Sequence, residues 1–302
     1  MDILKFLESV RTPFFDMVFG AITRIGEETV VIVVLCAIFW CINKRIAYGI
    51  GIAYFLSGLT VQGMKVFFRI ERPWIIDPSM RPVSSALEQA TGYSFPSGHT
   101  QSATALFGSL GAQIKQKAIK TICFILVFLV AFSRMYLGVH TLLDVAVALL
   151  ITLLFVLVIT KIYGDYSFNK NREIIMTIIM VLFACAAIVI AAVLFSGGII
   201  EQAYLSDCLK AAGAGVGFAA GMYIERVYID FSTNAKNIIW QGIKLVLGIA
   251  GVLLIKEGLK LIIGTGLVAD TLRYLLMLLW VTVFYPLILK RFFTATETSK
   301  DL

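Results

Sequence analysis

The chain reads as long apolar runs separated by short polar links. A helix needs about 20 mostly apolar residues to cross a bilayer. Runs approaching or exceeding that length predict spans near residues 28–43, 46–68, 98–114, 118–134, 141–163, 173–195, 207–225, 238–255 and 268–290. Residues 1–25 fit less simply. Phe14–Thr23 is apolar but too short to span, and predicts either a re-entrant piece or an interfacial helix with Leu4, Phe6 and Leu7 in lipid. Only one connection in the first half is long. Residues 70–97 hold Pro73, Pro78, Pro82, Pro96, Gly92 and several charges. A long structured loop between spans is often functional. The expected fold class is all-α, a polytopic helical membrane protein.

Composition strengthens this. Of 302 residues, 59% are hydrophobic and 15% charged, with a mean hydropathy of +0.90. Soluble domains carry about 25% charge, so a soluble globular fold is excluded. The apolar runs exclude a disordered chain. The net charge of +7 does not indicate nucleic acid, because the basic residues sit in short clusters between apolar runs with no aromatic-basic module.

These clusters orient the chain instead. Lys44 and Arg45, then Lys115, Lys117 and Lys120, then Lys161, Lys170 and Arg172 fall on links that alternation places on one side. The positive-inside rule makes that side cytoplasmic. Arg226, Lys236, Lys290 and Arg291 agree, whereas Lys256 and Lys260 fall on the other side. The 70–97 loop and the 135–140 connection then face outward. Cys36, Cys41, Cys123, Cys185 and Cys208 show no metal or disulfide spacing and read as packing residues. The acidic, proline-containing start does not look like a cleavable signal peptide.

Three polar segments converge on the outer side. The first, Lys65-Val-Phe-Phe-Arg-Ile-Glu-Arg72-Pro73, ends a span. Lys65 and Arg72 lie two helical turns apart and can share a face, and Pro73 pushes Arg72 out of helix geometry. Two cations at a bundle mouth suit a phosphate; alone they also fit a snorkelling pair at a membrane edge. The second, Tyr93-Ser-Phe-Pro-Ser97-Gly98-His99-Thr100, opens a span. Ser97 is a natural N-cap, Gly98 admits close ligand approach, and the free amides form an anion site beside His99. The plainer alternative is a capped helix with an incidental histidine.

The third, Ser133-Arg134 through Gly138, His140 and Asp144, places His140 and Asp144 at i and i+4 on a new helix. An aspartate holding one ring nitrogen leaves the other free as base or nucleophile; a structural His–Asp hydrogen bond is the alternative. Span alternation brings all three segments to one membrane face.

Read as Lys-x6-Arg-Pro, Pro-Ser-Gly-His and Ser-Arg-x5-His-x3-Asp, the segments resemble the three signature motifs of the type 2 phosphatidic acid phosphatase family, in order and with full spacing over residues 1–165. That family is similar to vanadium haloperoxidases. The resemblance implies its helix bundle in residues 1–166, with residues 167–302 an additional bundle of about four transmembrane helices. It implies that His140 attacks phosphorus to form a phosphohistidine, that Asp144 orients His140, and that His99 protonates the leaving oxygen. Lys65, Arg72, Arg134, Ser97 and the Gly98 amide would hold the phosphoryl oxygens. No carboxylate cluster suited to a divalent metal accompanies these residues, so neither metal nor cofactor is expected.

The expected activity is hydrolysis of a lipid phosphate or diphosphate at the extracytoplasmic face of a cell membrane. Undecaprenyl diphosphate is the first expected substrate, then phosphatidate or phosphatidylglycerophosphate. Phe67, Phe68, Trp74, Tyr93 and Tyr136 are candidates to line the route of an acyl or prenyl chain. A phosphotransferase passing the phosphoryl group to a lipid or sugar hydroxyl is the alternative within enzymes. A lipid transporter or scramblase built on the C-terminal bundle is the alternative outside them. In that bundle Gly213, Gly215, Gly217 and Gly221 predict close helix packing. Membrane lipids are the expected surroundings, and nucleic acid is not an expected partner.

Overall fold

In the computed structural model, residues 1–163 and 168–292 are described; the expected boundary between residues 166 and 167 lies outside them. All regular structure among the described residues is helical. The first half comprises α1 (Asp2–Ser9), α2 (Pro13–Arg24), α3 (Glu28–Ala37), α4 (Lys44–Phe68), α5 (Pro73–Ile76), α6 (Gly98–Ala103), α7 (Ser109–Gln113), α8 (Lys117–Tyr136) and α9 (Leu142–Tyr163). The second half adds α10 (Lys170–Ser196), α11 (Gln202–Ile224), α12 (Ile238–Leu253), α13 (Leu259–Ile263), α14 (Leu267–Leu279) and α15 (Tyr285–Phe292).

Local chemistry sets the ends of the central helix. The Asn43 side chain caps α4 by accepting from the Ile46 amide at 3.2 Å. α4 stops where Arg69 turns left-handed at φ 52°, before Pro73. Arg72 is therefore not on the α4 face that carries Lys65, as the two-turn spacing suggested. It caps α5 in an extended conformation, as expected of a residue before proline.

Six stretches are long and apolar enough to cross a membrane alone: Lys44–Ile76, Lys117–Tyr136, Leu142–Tyr163, Lys170–Ser196, Ile238–Ile263 and Leu267–Phe292. A bent pair, Pro13–Arg24 with Glu28–Ile42 at 48°, raises the number to seven. The expected spans at 98–114 and 207–225 are helical but fall outside this set. The first is shortened and divided by a π turn, Thr104–Gly108, between α6 and α7. The second, α11, carries Asp207, Lys210 and four glycines, so its apolarity is low, and it is buried inside the protein. The N-terminal expectation needs a similar correction. Leu4 and Leu7 are buried against the protein rather than in lipid, and only Phe6 is exposed. α1 lies along α8, pinned by a 2.8 Å ion pair from Lys5 to Asp77.

α4 is the axis of the molecule. α6, α7 and α9 pack on it from the first half, α10 and α11 from the second. One apolar core runs through both halves, from Tyr48, Ile52 and Leu106 to Met180, Phe218 and Met222. Glycines let α11 seat directly on α14, as their spacing predicted. A Cβ at Gly213 would lie 2.5 Å from the Thr271 carbonyl, and one at Gly217 would lie 2.5 Å from the Leu275 carbonyl. Close backbone approach of this kind is how helices associate where lipid removes the hydrophobic drive.

At the end of the bundle remote from His140, charges join the halves. Lys44 reaches Glu225 at 3.0 Å and Asp230 at 2.6 Å. Arg226 reaches Glu173 at 2.6 Å. Glu173 and Glu225 are buried. Glu173 also pairs with Arg172 at 3.4 Å, whereas removing Lys44 would leave the Glu225 charge buried without its cation. Lys44 and Arg226, two of the basic residues counted in the sequence, thus lie together at one end of the fold.

Candidate active site

All three motif segments meet at the opposite end. A cavity of about 270 Å³ is lined by Lys65, Arg72, Gly98, His99, Arg134 and His140, among others. Lys65 comes from the last turn of α4, and Arg72 from the turn after it. Gly98 and His99 open α6. Arg134 ends α8, and His140 lies in the turn before α9.

That turn ties two of these residues together. The Arg134 carbonyl accepts from the amides of both Val139 and His140, at 3.1 and 3.2 Å. Gly138 makes the reversal at φ +77°, a conformation that favours glycine.

His140 and Asp144 do not share a helix, because α9 begins between them, at Leu142. Thr141 and Asp144 instead form a reciprocal cap. The Asp144 Oδ2 accepts from the Thr141 amide at 2.7 Å, and the Thr141 hydroxyl accepts from the Asp144 amide at 3.2 Å. The cap aims the carboxylate back at the imidazole, with His140 Nδ1 3.5 Å from Asp144 Oδ2. Ser94 supports it, donating to Asp144 Oδ2 at 2.6 Å while its oxygen lies 3.4 Å from His140 Nδ1. Ser94 lay within a motif segment, yet no spacing singled it out. Nε2 on the other side of the ring is 3.0 Å from Arg72 Nη1. An arginine only donates, so this contact assigns the Nε2 lone pair toward the guanidinium and the proton to Nδ1. Burial, then Arg72, Arg134 and Lys65, push the His140 imidazolium well below the ordinary 6.5. The ring is neutral at pH 7.

Arg72 does more than face a ligand. It donates to the carbonyls of Gly92, Thr91 and Val139 at 2.9, 2.6 and 3.0 Å. With the His140 contact this leaves one of its five N–H groups. Lys65 donates to the Tyr93 carbonyl at 2.5 Å. The long loop is thus folded onto the site by the cations expected to hold phosphate. Arg134 is fully buried and donates to Thr23 of α2 at 2.7 Å. Its Nε and Nη2, and Nε2 of His99, have no partner among the described residues. Burying unsatisfied donors costs about 1–3 kcal/mol each, so these atoms stand ready for a ligand. Gly98 leaves room for one, since a Cβ there would meet nothing within 4 Å.

Ser97 is placed differently from expectation. Its hydroxyl accepts from the Thr100 amide and hydroxyl, at 3.4 and 3.0 Å, and it does not line the cavity. It is a cap that sets the start of α6. Of the five aromatic residues expected along a chain route, only Tyr93 borders this cavity. Phe67 and Phe68 are exposed, and Tyr136 packs against Phe19 at 4.4 Å.

Sequence reasoning also missed a wall from the second half. Tyr204 and Asp207 of α11 line the cavity, and Tyr204 stacks on Tyr93 at 4.3 Å. Glu28, Gln62, Gln89 and Thr91 complete that side. No motif marks these residues; the packing of α11 on α4 brings Tyr204 and Asp207 there. Among the described residues, no three His, Cys, Asp or Glu side chains converge to hold a metal ion. The positive charge here comes from Lys65, Arg72 and Arg134.

Comparison with known proteins gives two matches of one kind. Residues 45–168 match the PAP2 superfamily, and residues 209–297 match the transmembrane extension of PAP2 superfamily phosphatases. A crystal structure of Aquifex aeolicus LpxE is similar, at 26% identity and a TM-score of 0.46, over 53% of this chain and 93% of that one. No curated protein matches the chain.

Proposed function

We propose, for a chain that belongs to the PAP2 superfamily of phosphatases and carries that superfamily's transmembrane extension, that His140 is the nucleophile of a lipid phosphate phosphatase. The observation that carries this reading is the pairing of a neutral His140 with unpartnered buried nitrogens on one cavity. Nδ1 is backed by Asp144 and Ser94, Nε2 points at Arg72, and Arg134 and His99 offer free atoms to the same space.

In the proposed reaction the phosphoryl group sits among Lys65, Arg72, Arg134 and the Gly98 amide. Nε2 of His140 attacks phosphorus as the bond to the leaving oxygen breaks. His99, held as the imidazolium by the negative charge of the bound phosphoryl group, gives its Nε2 proton to the leaving oxygen. Water then attacks the phosphohistidine, losing a proton to the now neutral His99, and inorganic phosphate leaves. Asp144 stabilises the charge on His140 as the P–N bond forms, and the three cations meet the charge on the equatorial oxygens. Residues 1–166 supply this chemistry, and residues 167–302 are an accessory bundle.

The substrate is proposed to be a lipid, because the cavity lies at the ends of apolar helices. Undecaprenyl diphosphate is the first candidate, followed by phosphatidate and phosphatidylglycerophosphate. The active site is proposed to face outward across a cell membrane, because Lys44, Arg172, Arg226 and Lys290 gather at the other end.

The test is phosphate release by purified protein in detergent with EDTA, wild type beside His140→Ala, on those three lipids. Wild type is expected to release phosphate from at least one. The variant is expected to lose on the order of 10⁴-fold or more in turnover while remaining folded. Acid-labile phosphate on wild-type protein should vanish in the variant. Equal turnover by the two proteins would refute the mechanism.

A further inference from the structure

A second cavity, of about 370 Å³, lies between α3, α4, α11 and α14. It shares Glu28, Gln62, Thr91 and Asp207 with the catalytic cavity. These four polar residues form a collar between the two spaces. Lys210 sits on the same rim, held by Asp207 at 3.3 Å and Asp270 at 3.9 Å.

Beyond the collar, the walls turn apolar in the same direction on each helix. α3 presents Glu28 at the collar, then Val31 and Leu35 below it. α4 presents Gln62, then Leu59 and Phe55. α11 presents Asp207, then Ala211 and Ala214. α14 adds Met277, and the π turn after it adds Val281, at depth. The amide of Gln101, which also borders the space, is held by the Tyr54 carbonyl at 3.0 Å and the Ser57 hydroxyl at 2.8 Å. Small residues keep the volume open: Gly58 and the two alanines stand where larger side chains would fill it.

A cavity that is polar where it meets the phosphoryl cradle and apolar toward the middle of the bundle has the polarity of an amphiphile. Its size falls in the range of ligand pockets. Of the walls beyond the first half, α11 from Leu209 onward and α14 belong to the extension.

We propose that this cavity receives the hydrocarbon chain of the substrate, so that the extension selects the chain while the first half does the chemistry. The polar collar takes the atoms between phosphate and chain. This inference rests on the reading of the adjoining site as a lipid phosphatase centre, and the experiment separates the two.

The probes are butyl phosphate and dodecyl phosphate in detergent, with wild type, Ala211→Phe and Gly58→Ala. Wild type is expected to favour the dodecyl ester in kcat/KM. Ala211→Phe puts a ring into the apolar half and is expected to lower kcat/KM for dodecyl phosphate about tenfold or more, with butyl phosphate changed less than about twofold. Gly58→Ala is the gentler variant, because its Cβ would sit at ordinary contact, 3.5 Å from Gln101 Nε2. It is expected to lower the dodecyl-to-butyl ratio about fourfold, the effect of one displaced methylene, and it keeps the test decisive if Ala211→Phe fails to fold. Parallel losses on both esters, or an unchanged ratio in Gly58→Ala, overturn the pocket. So does a wild type that releases phosphate from both esters with no preference, and the phosphatase reading then stands. A wild type inactive on both esters and on the three lipids overturns the phosphatase reading itself.

Discussion

Ser94→Ala isolates the support behind the proposed nucleophile. Ser94 is fully buried and is not itself part of the cavity lining. Its hydroxyl gives Asp144 Oδ2 one of its two short hydrogen bonds, at 2.6 Å, the other coming from the Thr141 amide at 2.7 Å. A hydrogen bond to a charged group contributes about 1.5–3 kcal/mol. If that whole amount is lost from the transition state, kcat/KM falls about 10- to 150-fold.

A second readout separates positioning from general damage. Without the hydroxyl, more of the Asp144 charge acts on His140, which favours the imidazolium. The acid limb of the kcat/KM profile should therefore move to higher pH, and Ser94→Thr should restore much of both effects. The assay is initial-rate phosphate release in detergent from pH 5 to 9, with thermal unfolding as the folding control. Activity within about twofold of wild type, with an unmoved acid limb, would refute the role given to Ser94.

Two other expectations follow from the same structure. In the wild type, burial and the neighbouring cations lower the His140 pKa below 6.5, so the neutral nucleophile persists as pH falls. The acid limb of the kcat/KM profile, where His140 gains its proton, should therefore lie below pH 6.5, and an acid limb centred above 7 would contradict the buried, cation-ringed placement. On α11, Gly217→Ala forces a methyl to 2.5 Å from the Leu275 carbonyl and should cost about 1–3 kcal/mol in overpacking. Gly63→Ala, with nothing within 4 Å of the new Cβ, should leave the unfolding temperature unchanged or raise it.

Much of the catalytic end was readable in the residues themselves. Motif spacing placed Lys65, Arg72, His99, Arg134 and His140 together, and the structure lines one cavity with all five. Spacing failed where it was taken as helix periodicity. Arg72 lies past a left-handed turn at Arg69, and His140 precedes the helix that holds Asp144. Both pairs meet through loop hydrogen bonds, whose partners are backbone carbonyls and amides present at every position. The span count drifted for a related reason. Apolar runs measure what lipid tolerates, while α11 is shielded by other helices and keeps its charges and glycines.

By itself the sequence determined that this is an all-helical membrane protein whose three motif segments meet at one end. Bilayer thickness and the cost of unpaired charge leave few other arrangements for such runs. Only the tertiary structure decided that Ser97 stays out of the cavity, that Ser94 and Thr23 support the site, and that α11 closes it. It also placed a second, apolar cavity beside the first. Several of these features depend on contacts between residues far apart in the chain, such as Arg134 with Thr23 and Tyr93 with Tyr204. No local period or motif encodes such contacts, because they arise when helices pack and not when they form.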